Sequence, residues 1–166
     1  MRTLILAAAL AAATAGGADA TAVYQTFSGT AADPDGLRPL VDTYRAALGD
    51  LNANEPVNVD GGRRQINWDA APDAISDPNA FPGDFFNAGF APRARGIEFR
   101  ETGSTTGFEL SATEASGTPP LFNLPRDFQA FSPERIFRPV GGKTFDVLFF
   151  DPAAPEVAAI AISGSR

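Results

Sequence analysis

Any chemistry in this chain has to be done without imidazole or thiol, because the sequence contains neither His nor Cys. That excludes a Ser-His-Asp or Cys-His nucleophile and a zinc site of the usual ligand types. No Gly-rich phosphate loop follows a strand pattern, and there is no G-x-S-x-G turn. Paired carboxylates are what remains for acid–base work. Asp69, Asp73, Asp77 and Asp84 fall in one long loop, and Glu98 and Glu109 on neighbouring strand patterns. A glycoside hydrolase needs two carboxyls about 5–9.5 Å apart across a groove. Sequence does not specify that spacing, and solvation at the surface accounts for such residues without it. A carboxylate-dependent glycoside hydrolase is therefore an alternative, behind non-enzymatic readings.

Two binding chemistries are better represented. Trp68, the only Trp, is flanked by Asn67 and Asp69, and Phe85 lies in the loop that follows. An aromatic face beside amide and carboxylate groups is a way to hold a sugar ring, so Asn67, Trp68, Asp69 and Phe85 are the candidate ligand-binding residues. The competing reading makes Trp68 a core anchor that shares a face with Ile66. For a metal, hard oxygen donors point to calcium. Asp33-x-Asp35-Gly36 opens like an oxygen-ligand loop, and Asn58 and Asp60 add donors, with Asn52 and Asn54 nearby. Pro34 and the lack of a downstream bidentate Glu depart from an EF-hand. Turn chemistry alone also places Asp, Asn and Gly in such positions.

The elements that must position these residues are mostly strands. Asp33-Pro34-Asp35-Gly36 signals a turn. The one helix follows, because Leu37, Leu40, Val41, Tyr44 and Leu48 form a single apolar stripe. Pro39 is compatible only with its first turn, and Gly49 suits its C-terminal cap. Residues 21–30 suggest a first strand or tether, and residues 63–68 (RRQINW) a further strand. Residues 69–91 form a loop rich in Pro, Asp and Gly that carries Phe81, Phe85, Phe86 and Phe90, so it should pack down over an opening of the core. Alternation predicts strands at 96–100 and 107–111 joined as a hairpin through ETGSTT. Shorter strands follow at 128–131, 135–140, 144–150 and 157–162. About seven strands, one helix and no alternation of strands with helices predict a mainly β fold. It is an antiparallel β-sandwich, jelly-roll-like, with one N-terminal amphipathic helix.

Composition bounds the partners. The chain has 166 residues and a net charge of −7, with no stripe of Lys and Arg. Binding to nucleic acid and docking to anionic lipid are both disfavoured. With no disulfides to close it, the fold rests on apolar burial, for which 14 Phe residues supply material. The N-terminus has the layout of a secretory signal: Arg2, an apolar run over residues 4–13, then Ala18-Asp19-Ala20. Cleavage is expected after Ala20, with Ala22 as the alternative. Residues 21–166 are then a single β-rich domain, secreted or periplasmic, without a transmembrane segment. Arg2 lacks an adjacent arginine, which favours the general secretory route.

Several segments also resemble an uncharacterised family of exported, β-rich bacterial proteins. They are Gly62-Arg63-Arg64-Gln65-Ile66-Asn67-Trp68-Asp69, Pro82-Gly83-Asp84-Phe85-Phe86-Asn87, Arg95-Gly96-Ile97-Glu98-Phe99, and the stretch from Phe131-Ser132-Pro133 to Phe149-Phe150. The helix VDTYRAALG is similar too, so the resemblance spans most of residues 37–152. It implies export and a β-rich architecture and brings no catalytic residues with it. It also implies further strands after 144–150, so the chain is expected to be either a natural short form or cut at its C-terminus, and in the second case 157–162 is an uncovered apolar edge. The function expected is that of an exported, non-enzymatic β-sandwich module binding a glycan or an envelope component. A structural or adhesive surface protein without a small-ligand site is the alternative.

Overall fold

The computed structural model describes residues 2–6, 25–131 and 134–165, with residues 2–6 and 157–165 given as backbone only. The chain forms two compact units, residues 1–48 and 49–166. Residues 7–13 of the apolar run over 4–13, and the expected cleavage sites after Ala20 and Ala22, lie outside the described residues. No described helix is long and apolar enough to cross a membrane.

The first unit holds two strands and the helix. Strand β1 (Arg2–Leu6) pairs antiparallel with β2 (Phe27–Ala31). The Asp33–Gly36 turn is closed by Asp33 Oδ1, which accepts the Gly36 N–H at 2.9 Å. Helix α1 (Arg38–Ala47) then begins with Pro39 in its first turn. Its apolar stripe meets β2: the Tyr44 ring stands edge-on to buried Phe27 at 5.3 Å. Gly49, just past the helix, has φ +90°, the left-handed conformation expected of the cap.

The second unit is antiparallel β around an aromatic core. Strand β3 (Ile97–Glu101) pairs with β6 (Thr144–Asp151), and β6 with β7 (Ala154–Ser165), giving the order β3-β6-β7. Strands β4 (Gly107–Leu110) and β5 (Phe137–Val140) form a separate pair, with Phe108 opposite Pro139. The expected fold is thus met at the level of a mainly β, antiparallel chain with one α-helix among the described residues.

Three local expectations are corrected. Strands β3 and β4 do not form a hairpin; they join different sheets. Residues 102–106 and 141–143 both cross between the two sheets, tied where the Thr105 hydroxyl donates to Thr144 O at 2.5 Å and the Thr106 N–H to Val140 O at 2.9 Å. The crossing is so close that a Cβ on Gly142 would fall 2.5 Å from the Thr105 N. Residues 63–68 make only an isolated parallel bridge, Leu51 with Arg63, because Asn67 turns the chain into a 3-10 turn at Trp68–Ala70. Residues 128–131 are not a strand either: they follow a turn at 125–127, with the Phe128 N–H donating to Leu124 O at 3.1 Å.

The long loop behaves as its phenylalanines predict. Phe81, Phe85 and Phe86 are buried in one cluster with Phe99 of β3 and Phe108 and Leu110 of β4, while Phe90 stays 55% exposed. Trp68 and Ile66 pack on the same cluster. The loop is held between the sheets by backbone bonds, Phe81 N–H to Phe108 O and Phe99 N–H to Gly83 O, both at 2.9 Å. Gly83 tolerates no side chain, since a Cβ there would lie 2.1 Å from Phe99 O.

Candidate functional site

The residues around Trp68 divide by what their polar atoms do. Asn67 Oδ1 accepts the Asp69 N–H at 3.1 Å and caps the turn. That turn sends the indole inward, where it stacks on Phe137 at 4.6 Å and 9° and meets the rings of Phe81, Phe86 and Phe99. The Trp68 ring is therefore committed to the core, as the competing reading held. Asp69 faces the other way and accepts the backbone N–H groups of Glu134 and Arg135 at 2.7 and 3.0 Å. Its carboxylate secures a chain segment 65 residues away.

The other carboxylates proposed for acid–base chemistry have partners of their own in most cases. Asp73 pairs with the guanidinium of Arg135, which is only 4% exposed and also donates to Ala71 O at 2.7 Å. Glu109 accepts two N–H groups of Arg138 at 2.6 and 2.8 Å, and Glu98 one from Arg100 at 3.1 Å. Asp84 is exposed and Asp77 is half-buried.

Of the calcium candidates, Asp33 and Asp35 belong to the first unit and Asn58 and Asp60 to the second. Asp33 closes its turn and Asp35 pairs with Arg38 at 2.7 Å, so both serve local structure. Asn58 and Asp60 are exposed. The Asn58 side chain holds the Asp151 carboxyl below its ordinary value by a hydrogen bond, helped by the N–H groups of Ala153 and Ala154. Among the described residues no three or more Asp, Glu, His or Cys side chains are grouped to hold a metal ion.

What the fold does build beside Asn67 is a cleft of about 330 Å³. Asn67 and residues 70–72 line it from one segment, and Phe85, Phe86, Pro92, Arg93 and Arg95 from the other. Two of the four expected ligand residues, Asn67 and Phe85, are thus brought together, while Trp68 and Asp69 are not in its lining. No protein family, curated protein or solved structure matches the chain. The character of the site has to be read from its own atoms.

The two arginines are the residues that sequence reasoning passed over. Arg93 donates from Nε to Phe85 O at 2.9 Å, and its guanidinium lies 4.1 Å from the Phe85 ring centroid and 5.1 Å from that of Phe90. Arg95 donates from Nε to Gln65 O at 3.0 Å and from Nη1 to Pro92 O at 2.6 Å, and its guanidinium lies 4.6 Å from the Phe86 centroid. Arg64 reaches the same region, donating to the carbonyls of Glu55, Val57 and Ala94. Burial, and then the neighbouring charge of Arg64, lower the Arg95 pKa from its ordinary value. The available signal was the pair of arginines two residues apart in Pro92-Arg93-Ala94-Arg95, directly after the Phe-rich loop of an acidic chain.

Proposed function

We propose that this chain is an exported, non-enzymatic binding module of the cell exterior, secreted or periplasmic, which takes a glycan or another envelope component in the Phe85–Arg93 cleft. The observation that carries the reading is the cleft itself: ring faces and proline surface, with guanidinium and amide groups at its border. Apolar walls with a few fixed polar groups are the usual composition of a small-ligand site, and about 330 Å³ lies at the small end of the range for such sites. Phe85 is held in the wall by packing against Phe81 and Phe86, at 5.6 and 4.9 Å between centroids.

The architecture proposed is a small two-layer β-sandwich. Phe99 and Phe145 come from one sheet and Phe108 and Phe137 from the other, and their rings meet at 4.8 to 6.2 Å, which supports two layers closed over one core. Export rests on the signal-like N-terminus, and the resemblance to exported β-rich proteins points the same way. A structural or adhesive role is the second reading, favoured by the withdrawal of Trp68 into the core.

A glycan array with the exported protein, with and without calcium, tests the binding role. Selective retention of a glycan class, weakened by Arg93→Gln, is the expected result; uniform absence of binding contradicts it and favours the structural role. Mass spectrometry of the exported form should show an N-terminus at Thr21, and an intact Met1 would overturn the location.

A further inference from the structure

We infer that the cleft recognises a carboxylate, and that its ligand is a small acidic sugar of the uronic acid class. This rests on the cleft being the ligand site and adds which ligand chemistry it takes. In a chain of net charge −7 the arginines are surrounded by potential partners. Arg38, Arg45, Arg100, Arg135 and Arg138 all sit on an Asp or Glu. Arg64, Arg93 and Arg95 do not: among the described residues their hydrogen bonds go to backbone carbonyls. Three guanidinium groups gathered without a counter-charge are an arrangement that an incoming anion would stabilise.

The unused donors define the shape of that anion. Among the described residues Arg93 donates only from Nε, which leaves the edge carrying both terminal nitrogens without a hydrogen-bond acceptor, and Arg95 likewise retains Nη2. An arginine edge with two parallel N–H groups matches the two oxygens of a carboxylate. Stacking over Phe85 and Phe86 already fixes both side chains, which lowers the ordering cost of binding. The lowered Arg95 pKa agrees with a cation held beside another cation in a partly dry place.

Size and charge narrow the class. A net charge of −7 repels extended polyanions, while a single carboxylate within about 10 Å responds mainly to the local arginines. The remaining lining is Phe, Pro and Ala surface that suits the C–H face of a sugar ring, with the Asn67 side chain, bonded only through Oδ1 among the described residues, beside it.

The test is a calorimetric titration of the full chain with digalacturonate, with the same disaccharide reduced to the neutral alcohol, and with a short acidic peptide. Digalacturonate is expected to bind at least tenfold more tightly than the reduced disaccharide and the peptide. Affinity should fall about tenfold in Arg93→Gln and less in Arg93→Lys, which keeps the charge but loses the fork. Arg100→Gln, on an exposed strand position, is the control and should bind as the wild type does. Equal binding of charged and neutral disaccharide overturns the carboxylate inference and leaves the glycan reading standing. Binding of the peptide alone, or of none of the three, overturns both. If Arg93→Gln fails to fold, the comparison of the acidic with the reduced disaccharide on the wild type decides.

Discussion

Two arginine neighbourhoods in the same unit are built in opposite ways. Arg135 is buried and enclosed: Asp73 takes its charge, Ala71 O takes an N–H, and Asp69 holds its backbone. Beside it, Trp68 stacks on Phe137. Arg93 and Arg95 are half-exposed, rest on Phe rings, and have no carboxylate among the described residues. The first arrangement spends the charges of Asp69, Asp73 and Arg135 on joining residues 69–73 to residues 134–135, with Arg135 Nε buried and unpartnered among the described residues. The second holds its cations in place and leaves part of their donor capacity unused. The contrast separates charge that maintains the fold from charge that is available to a ligand.

Substitutions should break this contrast in a definite order. Trp68→Ala removes the ring that touches four others and should destabilise by about 3–5 kcal/mol in urea unfolding. A loss under about 1 kcal/mol would mean that the indole is not a core anchor. Asp73→Ala leaves the Arg135 guanidinium buried without its counter-ion; because Asp73 itself is 47% exposed, the expected cost is about 2–3 kcal/mol rather than that of a fully buried pair. Arg93→Gln should cost only about 0.5–1 kcal/mol, the worth of a cation over a ring near the surface, while weakening ligand binding. An Arg93→Gln variant as unstable as Asp73→Ala would place Arg93 with the structural arginines instead.

The smallest effect concerns pH. The folded Asp151 carboxyl is held below its ordinary value of 3.8, so its ionised form favours the fold. That contribution is present above the ordinary value and is lost as pH falls through the lower folded value. Asn58→Ala should lower the neutral plateau slightly and flatten the fall in stability below about pH 4, read by thermal melts across pH, and should leave the most acidic end of the profile unchanged.

The local parts of the fold were legible and the pairings were not. The Asp33–Gly36 turn, the apolar stripe of α1 and the alternation in β3, β4 and β6 are properties of a few adjacent residues, and each appears where its pattern lies. Alternation assigns side chains to faces but names no neighbour. Glu101 to Thr106 reads as a hairpin connection even though β3 pairs with β6 and β4 with β5. At residues 63–68 the β-favouring Ile66 and Trp68 suggested a strand, but the Asn67 side chain offered the backbone a competing bond and the chain turned.

The site was half legible for a related reason. Asn67 and Phe85 are chemistry-bearing types in and after the Trp68 segment, and both line the cleft. Arg93 and Arg95 carry no local motif. Their role depends on contacts such as Arg95 to Gln65 O and Arg64 to Ala94 O, across about 30 residues of chain that only the fold closes.

Whether the unused donors of Arg93 and Arg95 meet a carboxylate is read most directly from the arginine Nε–Hε spectrum of the folded protein during titration with digalacturonate and then with the carboxyl-reduced disaccharide. Saturable shifts confined to Arg93 and Arg95 with the acidic sugar, with Arg100 and Arg138 unmoved, are expected. Shifts of equal size with the neutral sugar, or none at Arg93 with either, would contradict that contact.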